Sequence, residues 1–483
     1  MRIQNDNNTD NRKWLVLTVI VIKMVIDGLD ASMLNIALPS IGRSLGATSS
    51  AVVWSVSIYA MIAATTTLFF GRLGDMIGKT KLYLIGIVIY LISTIFSGTA
   101  NSLPMFIVSR AIQAVGAACT MANSQGIIIM TFPEHQRGRA LGFYGAAISI
   151  GTLAGPTLGG LIVAYMSWRF IFLLKIPIAL LAVFLGYILF PKDVPERKEK
   201  MDYPGAFLFV VALIPLLYSL QEGYSVGFTH VSILLCLALS IIAFIVFFIV
   251  QHRKTMPLLD LKLFKNPIYS IGISTAAIMQ FSNASRNIII PYYMQGVLGI
   301  PVEIAGLYMS ISPILVLIVA PVSGYFSDKI GSEKLALVGQ IINFAGVALM
   351  MTLSKESPVM TLIAFFCIAS FGSALFTAPN NSQIMSNVPR DKLGIGGSAN
   401  MCIRNVGISA GLAFATAALY GGMSRYLGYN VVDYVKGAGM DDAFIYGMRS
   451  AYLISSLVCV SGIIASATRL ILSGKKKTPQ ITC

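Results

Sequence analysis

Charged residues are scarce in this sequence. Only 11% of its 483 residues are Asp, Glu, Lys or Arg, whereas 56% are hydrophobic, and soluble domains carry about 25% charged residues. The composition therefore excludes a soluble globular protein and predicts a polytopic membrane protein. The net charge of +15 would suit nucleic acid in a soluble chain, but here the basic residues cluster in short loops. We interpret them as topology determinants and expect no nucleic-acid partner.

Cysteine and histidine are scarce as well. The six cysteines show no CxxC spacing, so we expect no disulfide framework, metal site or cofactor. His135, His230 and His252 fall in or beside loops, which leaves carboxylates as the only candidates for carrying protons in the membrane. Residues 74–80 imitate a phosphate loop with one residue too few between the glycines. Because nucleophile and pore-loop motifs are missing too, we expect neither an enzyme nor a channel.

Long apolar stretches recur along the whole chain. They predict about fourteen membrane helices, at about 20 residues per crossing. With the N-terminus in the cytoplasm, most Lys and Arg fall in segments on the cytoplasmic side. We therefore expect both termini in the cytoplasm and the protein in a bacterial plasma membrane. We also expect a multi-pass monomer. The stretches lie near 14–34, 50–70, 82–99, 104–130, 140–163, 169–190, 204–221, 231–250, 268–294, 304–326, 335–353, 358–386, 394–420 and 447–472.

A glycine-rich polar stretch is repeated in the two halves of the chain, at 71–81 and 324–334. Four residues match without a gap: Gly71 with Gly324, Asp75 with Asp328, Gly78 with Gly331, and Lys81 with Lys334. Such a repeat predicts two bundles of about six helices with a substrate cavity at their interface. The predicted domains are an N-terminal bundle at 1–190, linkers with two additional helices at 191–267, and a C-terminal bundle with a basic cytoplasmic tail at 268–483.

Three carboxylates lie in or beside predicted spans. Placing the charged side chain of Asp30 in the membrane costs roughly 2.5–3.5 kcal/mol on insertion scales. Burial favours the protonated form, so protons and substrate cations can compete for this carboxylate. Alternatively, hydroxyls or a neighbouring base satisfy it. Asp27, one turn earlier, either titrates together with Asp30 or pairs with Lys23. Glu222 is a third proton-coupling candidate, or an ordinary interfacial side chain.

Several motifs resemble those of the major facilitator superfamily, specifically its fourteen-helix drug:proton antiporter branch. They occupy 29–39 in helix 1, 71–81 after helix 2, 107–116 in helix 4, 145–160 in helix 5, and 168–177. The resemblance implies a proton-coupled antiporter that exports lipophilic, mainly cationic drugs across the membrane by alternating access. The alternative is an exporter of the same fold for an endogenous anionic metabolite, amino acid, peptide or lipid.

The resemblance also implies roles for individual residues. Arg110 takes part in proton coupling with Asp30, or is a structural anchor. Asp75 pairs with a helix end or an arginine in a cytoplasmic latch, or simply anchors topology. The latch comprises Gly71, Arg72, Asp75 and Gly78.

Small residues on helix 5 predict close approach of a neighbouring helix, and Pro156 predicts a bend. By the resemblance, this helix closes one side of an antiporter; the alternative is ordinary packing without gating. The residues are Gly151, Gly155, Pro156, Gly159 and Gly160.

Aromatic and polar side chains on the predicted spans are candidates for lining a substrate cavity, although such residues also pack internally or face lipid. Aromatic faces suit lipophilic cations, whereas Arg286 and Arg404 favour the anionic alternative. The candidates are Trp54, Tyr59, Gln113, Asn123, Arg286, Tyr292 and Arg404.

Overall fold

The structure is a computed structural model, and all regular secondary structure in its described residues is helical. Residues 192–200 in the predicted linker region and 478–483 at the end of the predicted basic tail lie outside the described residues. The described ranges are 6–191, 201–227, 229–254, 258–389, 393–431, 433–434 and 439–477.

Sixteen α-helices occupy these ranges, with a short 3-10 helix at Leu263–Lys265 and a π-helix at Tyr293–Val297. In chain order they are α1 (Asp6–Leu45), α2 (Ser49–Ile77), α3 (Lys79–Gly98), α4 (Leu103–Thr131), α5 (Glu134–Tyr165), α6 (Phe170–Leu173), α7 (Lys175–Leu189), α8 (Tyr203–Val226), α9 (Val231–Arg253), α10 (Pro267–Tyr292), α11 (Val302–Met309), α12 (Ile311–Ile330), α13 (Ser332–Met350), α14 (Val359–Ser386), α15 (Leu393–Leu427) and α16 (Asp441–Lys477).

Within the described residues, 12 helical stretches are long and apolar enough to cross a membrane. Two of them combine short consecutive helices, at Phe170–Leu189 and Val302–Ser327. The predicted spans at 14–34 and 268–294 coincide with α1 and α10, which are 40 and 26 residues long but carry more polar side chains. The count of fourteen and the cytoplasmic termini therefore stay predictions.

Contacts divide the chain into two compact units. Two short segments belong to a different unit from the residues that flank them in the sequence. The start of α2 belongs to unit 2, and α11 belongs to unit 1. The predicted domain limits stay predictions. Unit 1 comprises Met1–Ala47, Trp54–Ala206 and Pro301–Ser310, and unit 2 comprises Thr48–Val53, Phe207–Ile300 and Ile311–Cys483.

In unit 1, α1 and α5 approach so closely that their backbones touch. A Cβ added at Gly151 would overlap the carbonyl oxygen of Val25 and lie 3.0 Å from the Cα of Gly28. Gly155 and Gly159 continue this contact towards the end of α5. Only glycine allows this approach, as small-residue packing between membrane helices requires.

Two other residues of the predicted small set on α5, Pro156 and Gly160, contact a different neighbouring helix. A Cβ at Gly160 would lie 2.8 Å from the carbonyl oxygen of Val302, and one at Gly306 would overlap that of Pro156. The helix thus packs against α1 on one side and α11 on the other, because successive residues are turned by about 100° around a helix.

The repeated glycine-rich stretch has the same backbone conformation in both copies. Gly78 between α2 and α3 has φ +107°, and Gly331 between α12 and α13 has φ +99°, values that residues other than glycine rarely adopt. The expected loop over 71–81 is wrong for its first part, since α2 continues to Ile77 and Gly71 and Arg72 are helical. Gly78 is the residue that ends the helix.

Candidate functional site

A buried carboxylate joins three helices of unit 1. Asp30, near the middle of α1, is 1% exposed. Its Oδ2 accepts a hydrogen bond of 2.7 Å from Nη1 of Arg110 on α4, and its Oδ1 accepts one from Nζ of Lys175, the first residue of α7. All three side chains are at most 3% exposed. We call Asp30, Arg110 and Lys175 the ionic triad.

Sequence reasoning singled out Asp30 and Arg110, and the structure brings them together. It missed Lys175, although a signal was present, because this lysine interrupts the predicted span at 169–190. A buried lysine in an apolar helix is costly unless a carboxylate pairs with it.

The guanidinium of Arg110 is held by further contacts in unit 1. Nη1 also donates to Oε1 of Gln113, whose Nε2 donates to Oγ1 of Thr94 at 3.0 Å. The guanidinium lies 4.5 Å from the ring centroid of Tyr59, an attractive geometry for a cation over an aromatic face. Gln113 and Tyr59, both proposed as cavity residues, therefore position Arg110.

A second ion pair lies one turn before the triad. Lys23 donates to Oδ1 of Asp27, and its Nζ lies 4.0 Å from the ring centroid of Tyr90. The structure thus shows the pairing of Asp27 with Lys23 that the spacing allowed, and a role of Asp27 in proton coupling stays a prediction. The pair and the triad together contain three cations and two carboxylates, so this group of side chains carries one net positive charge when fully ionised.

Unit 2 buries a cation of its own. Arg286, 2% exposed on α10, donates from Nη2 to Oδ1 of Asn283 and from Nη1 to Oγ of Ser370 at 3.4 Å. Its guanidinium lies 5.7 Å from the ring centroid of Phe366. Within the described residues, no carboxylate forms an ion pair with Arg286, and its buried Nε has no hydrogen-bond partner. The positive charge here is balanced by neutral acceptors and an aromatic face alone.

Asn123, proposed as a cavity residue, forms a structural bridge. Its Nδ2 donates to the carbonyl oxygens of Cys119 at 2.9 Å and Phe70 at 3.2 Å, and a Cβ at Gly74 would overlap its Oδ1. It is fully buried and joins α4 to α2 in this conformation; its role as a cavity residue stays a prediction.

Tyr292, another cavity candidate, contacts the first residue of α2 in unit 2. Its hydroxyl donates to the carbonyl oxygen of Ser49 at 3.5 Å. Asp433 accepts hydrogen bonds on Oδ1 from the backbone N–H of Ser49 at 2.9 Å and from its hydroxyl at 2.5 Å. An acidic side chain thus caps the N-terminus of α2.

The remaining candidates lie at separate places. Trp54 is half-buried on α2, and Glu222 is half-buried on α8 in unit 2. Arg404 lines a cavity of unit 2. In the predicted latch, Asp75 accepts a hydrogen bond from Lys79, four residues on, in place of the expected arginine or helix end.

Long apolar helices around buried ion pairs are typical of a membrane transporter, because charges inside a membrane protein mark substrate and ion pathways. The model of the Major Facilitator Superfamily matches residues 20–412 and 274–481. The chain belongs to this superfamily.

Two relatives and one solved structure illustrate the similarity. The chain is 34% identical over 460 residues to the riboflavin transporter RibZ of Clostridioides difficile strain 630, covering 94% of this chain and 96% of RibZ. It is 30% identical over 400 residues to the multidrug resistance protein Stp of Mycobacterium tuberculosis strain CDC 1551 / Oshkosh, covering 83% and 74%. The crystal structure of a bacterial homologue of the human lysosomal transporter Spinster gives a TM-score of 0.66 at 15% identity, covering 95% and 98%. The chain is thus a multi-pass membrane transporter of small molecules and no enzyme.

Proposed function

We propose that this protein is a proton-coupled antiporter that exports lipophilic drugs or toxic compounds from a bacterial cell by alternating access. It acts as a monomer in the plasma membrane, with both termini in the cytoplasm. The observation that carries the proposal is the ionic triad, in which one buried carboxylate holds two cations from different helices.

Protonation of Asp30 is the coupling step in this proposal. A proton on Asp30 neutralises the carboxylate and leaves Arg110 and Lys175 as two buried like charges, which repel each other. Removing one partner of a buried ion pair costs about 3–5 kcal/mol. One charge crossing 100 mV releases about 2.3 kcal/mol, which is of the same order. The membrane potential therefore offsets roughly half of this cost and contributes to a change in the packing of α1, α4 and α7.

The test is export driven by an imposed pH gradient. Vesicles that contain the purified protein are loaded with ethidium, and export by the Asp30→Asn variant is compared with export by wild type. We expect wild type to export the dye and the variant to lose the gradient-dependent part. Undiminished, gradient-dependent export by Asp30→Asn would remove Asp30 from the coupling mechanism.

A charge-compensated variant serves as the control for misfolding of Asp30→Asn. Asp30→Asn combined with Lys175→Gln removes one negative and one positive charge, so the balance of buried charge is unchanged. We expect this variant to melt closer to wild type than Asp30→Asn, yet to lose coupling. Asp442→Asn, at an exposed carboxylate, is the matched control and should export normally.

A second candidate function is export of an endogenous metabolite that is neutral or anionic. Two observations favour it: Arg286 has no ion-pair partner among the described residues, and Asp27 and Asp30 already have cationic partners. An organic cation must displace one of these partners, whereas an anion need not. The similarity to a riboflavin transporter adds support. Gradient-driven export of riboflavin but not of ethidium would favour this candidate over the first.

In the proposed cycle, the segments that contain the turns of matching geometry at Gly78 and Gly331 and the helix α5 move. Gly78 and its copy Gly331 provide the sharp turns of the latch stretch, and the backbone contacts of Gly151 and Gly160 hold α5 against two helices. Close contacts without interlocking side chains allow α5 to slide during alternating access.

A further inference from the structure

A cluster of aromatic rings and arginines lies where α4 ends and α5 begins in unit 1. The spanning stretch of α4 ends at Thr131, and that of α5 begins at Gly142. Between them, Phe132 ends α4 and Arg139 lies in the second turn of α5. Because two spans end here, the cluster lies at the boundary between the apolar membrane core and water, at the depth of the lipid headgroups. We call Trp14, Phe132, Arg137, Arg139 and Phe143 the interfacial cluster.

Trp14 on α1 is the centre of the interfacial cluster. Its ring packs edge-on against the rings of Phe132 and Phe143, at centroid distances of 5.1 and 6.0 Å. The guanidinium of Arg139 lies 5.0 Å from the ring centroid of Trp14 and 5.9 Å from that of Phe143. Aromatic faces attract cations. The two rings therefore hold this guanidinium in place, although the side chain of Arg139 is exposed.

Arg137 is held on the same frame by a hydrogen bond. Its Nε donates to the carbonyl oxygen of Phe132 at 3.1 Å, and the ring of Phe132 packs against Trp14. A guanidinium has five N–H donors, and this bond uses one of them. Among the residues that the structure describes, neither Arg137 nor Arg139 has an ion-pair partner. Both cations thus keep donors for an anion from outside the chain.

The surface of α5 turns from cationic to apolar as it enters the membrane. Phe143, one turn after Arg139, is 47% exposed, and Ile150, two turns further on the same face, is 51% exposed. Both lie inside the spanning stretch that begins at Gly142. A negative headgroup above an acyl chain has the same order of charge and apolar surface, whereas an anion from solution has no use for the apolar part.

We propose that the interfacial cluster is a binding site for an anionic phospholipid. Arg139 binds the phosphate, Arg137 adds a second positive charge in the headgroup layer, and the acyl chain lies along Phe143 and Ile150. A zwitterionic phospholipid carries an ammonium group that the two arginines repel, so the site prefers phosphatidylglycerol to phosphatidylcholine. The inference goes beyond the proposed function and does not depend on proton coupling.

Trp14 itself reports on lipid binding. Trp54→Phe and Trp168→Phe leave it as the only one of the 3 tryptophans. The full-length protein is placed in phosphatidylcholine vesicles with increasing fractions of phosphatidylglycerol, whose acyl chains are brominated close to the headgroup and quench tryptophan fluorescence. Brominated phosphatidylcholine gives the reference. We expect a preference for phosphatidylglycerol of about thirtyfold, because each of two arginines contributes about 1 kcal/mol. Equal quenching by the two lipids would overturn the proposal.

Variants locate the site. Arg139→Gln and Arg137→Gln should each lower the preference about fivefold, and Arg139→Lys should lower it less because the charge is kept. Arg253→Gln is the control, since it removes the same charge from an exposed arginine in the last turn of α9 in unit 2, and should quench as wild type. Each preference is a ratio measured within one variant, so a change in the emission of Trp14 cancels. An unchanged preference in Arg139→Gln, or an equal loss in Arg253→Gln, would refute the site.

Inorganic phosphate separates a lipid site from a site for a soluble anion. Excess phosphate should reduce quenching by phosphatidylglycerol no more than sodium chloride of the same ionic strength does. Full displacement by phosphate, without displacement by chloride, would assign the arginines to a soluble anion and overturn the lipid proposal. Quenching requires no gradient and no substrate, so a failure of lipid binding leaves the proposed transport untouched, and a failure of transport leaves the lipid site standing.

Discussion

The contact between α1 and α5 gives a sharp test of the packing in unit 1. In a Gly151→Ala variant, the new methyl group would overlap the carbonyl oxygen of Val25 and lie 3.0 Å from the Cα of Gly28. Both are backbone atoms, so rotation of a side chain cannot relieve the overlap. Since optimal separations are about 3.5–4.0 Å, the two helices must move apart by about 1 Å. Overpacking of this kind costs typically 1–3 kcal/mol.

Gly145 on the same helix is the matched control. A Cβ there would have no atom within 4 Å, so Gly145→Ala introduces the same methyl group without overlap. Both variants gain the same helix propensity, about 1 kcal/mol at most, and this contribution cancels in the comparison. We therefore expect Gly151→Ala to be less stable than Gly145→Ala by about 1–3 kcal/mol.

The assay is thermal unfolding of both purified variants in one detergent at one scan rate, because unfolding of such proteins is often irreversible. Gly151→Ala should melt below wild type or close to it, and Gly145→Ala at or above it. If Gly151→Ala melts as high as Gly145→Ala, the close contact between α1 and α5 is wrong.

Three further predictions concern other contacts. Asp433→Ala removes the cap from Ser49 and should lower stability by about 1 kcal/mol, seen as a lower melting temperature. Gly306→Ala places a methyl group on a carbonyl oxygen of α5 and should lower both melting temperature and gradient-driven export. The hydrogen bond and charge of Asp442 raise the pKa of Lys355 outside the membrane spans, so their contribution is present at neutral pH and is lost as pH rises above about 10.4. Lys355→Gln should remove this loss from the melting curve at high pH, while changing stability little at pH 7 because the pair is exposed.

Local spacing and the chemistry of charge in apolar surroundings revealed part of the site from the sequence. The pair of Lys23 and Asp27 follows from four-residue spacing on one helix. Asp30 and Arg110 stand out because charged residues in apolar spans need a partner. That Lys175 completes the triad could not be derived, since the contact depends on how α7 packs against α1.

The hydrogen-bond partners of neutral amides were harder to foresee. Gln280 and Asn381 lie in polar stretches, and nothing in their spacing separates them from residues that bond to their own helix. Gln280 accepts from Asn283 on its own helix, whereas Asn381 on α14 accepts from Asn400 on α15. Asn123 differs from them, because its Nδ2 donates to two backbone carbonyl oxygens and its buried Oδ1 has no hydrogen-bond partner among the described residues.

The ionic triad also has a consequence for biosynthesis. Arg110 follows Asp30 by 80 residues and Lys175 follows it by 145. At about 5–20 residues per second, the ribosome needs roughly 7–30 s after making Asp30 before Lys175 exists. Lys23 and Asp27 neutralise each other within the nascent first helix, whereas Asp30 reaches the insertion machinery alone. The Asp30 carboxylate must therefore stay protonated or shielded by the insertion machinery until α4 brings Arg110, and the ionic triad is complete only when α7 brings Lys175.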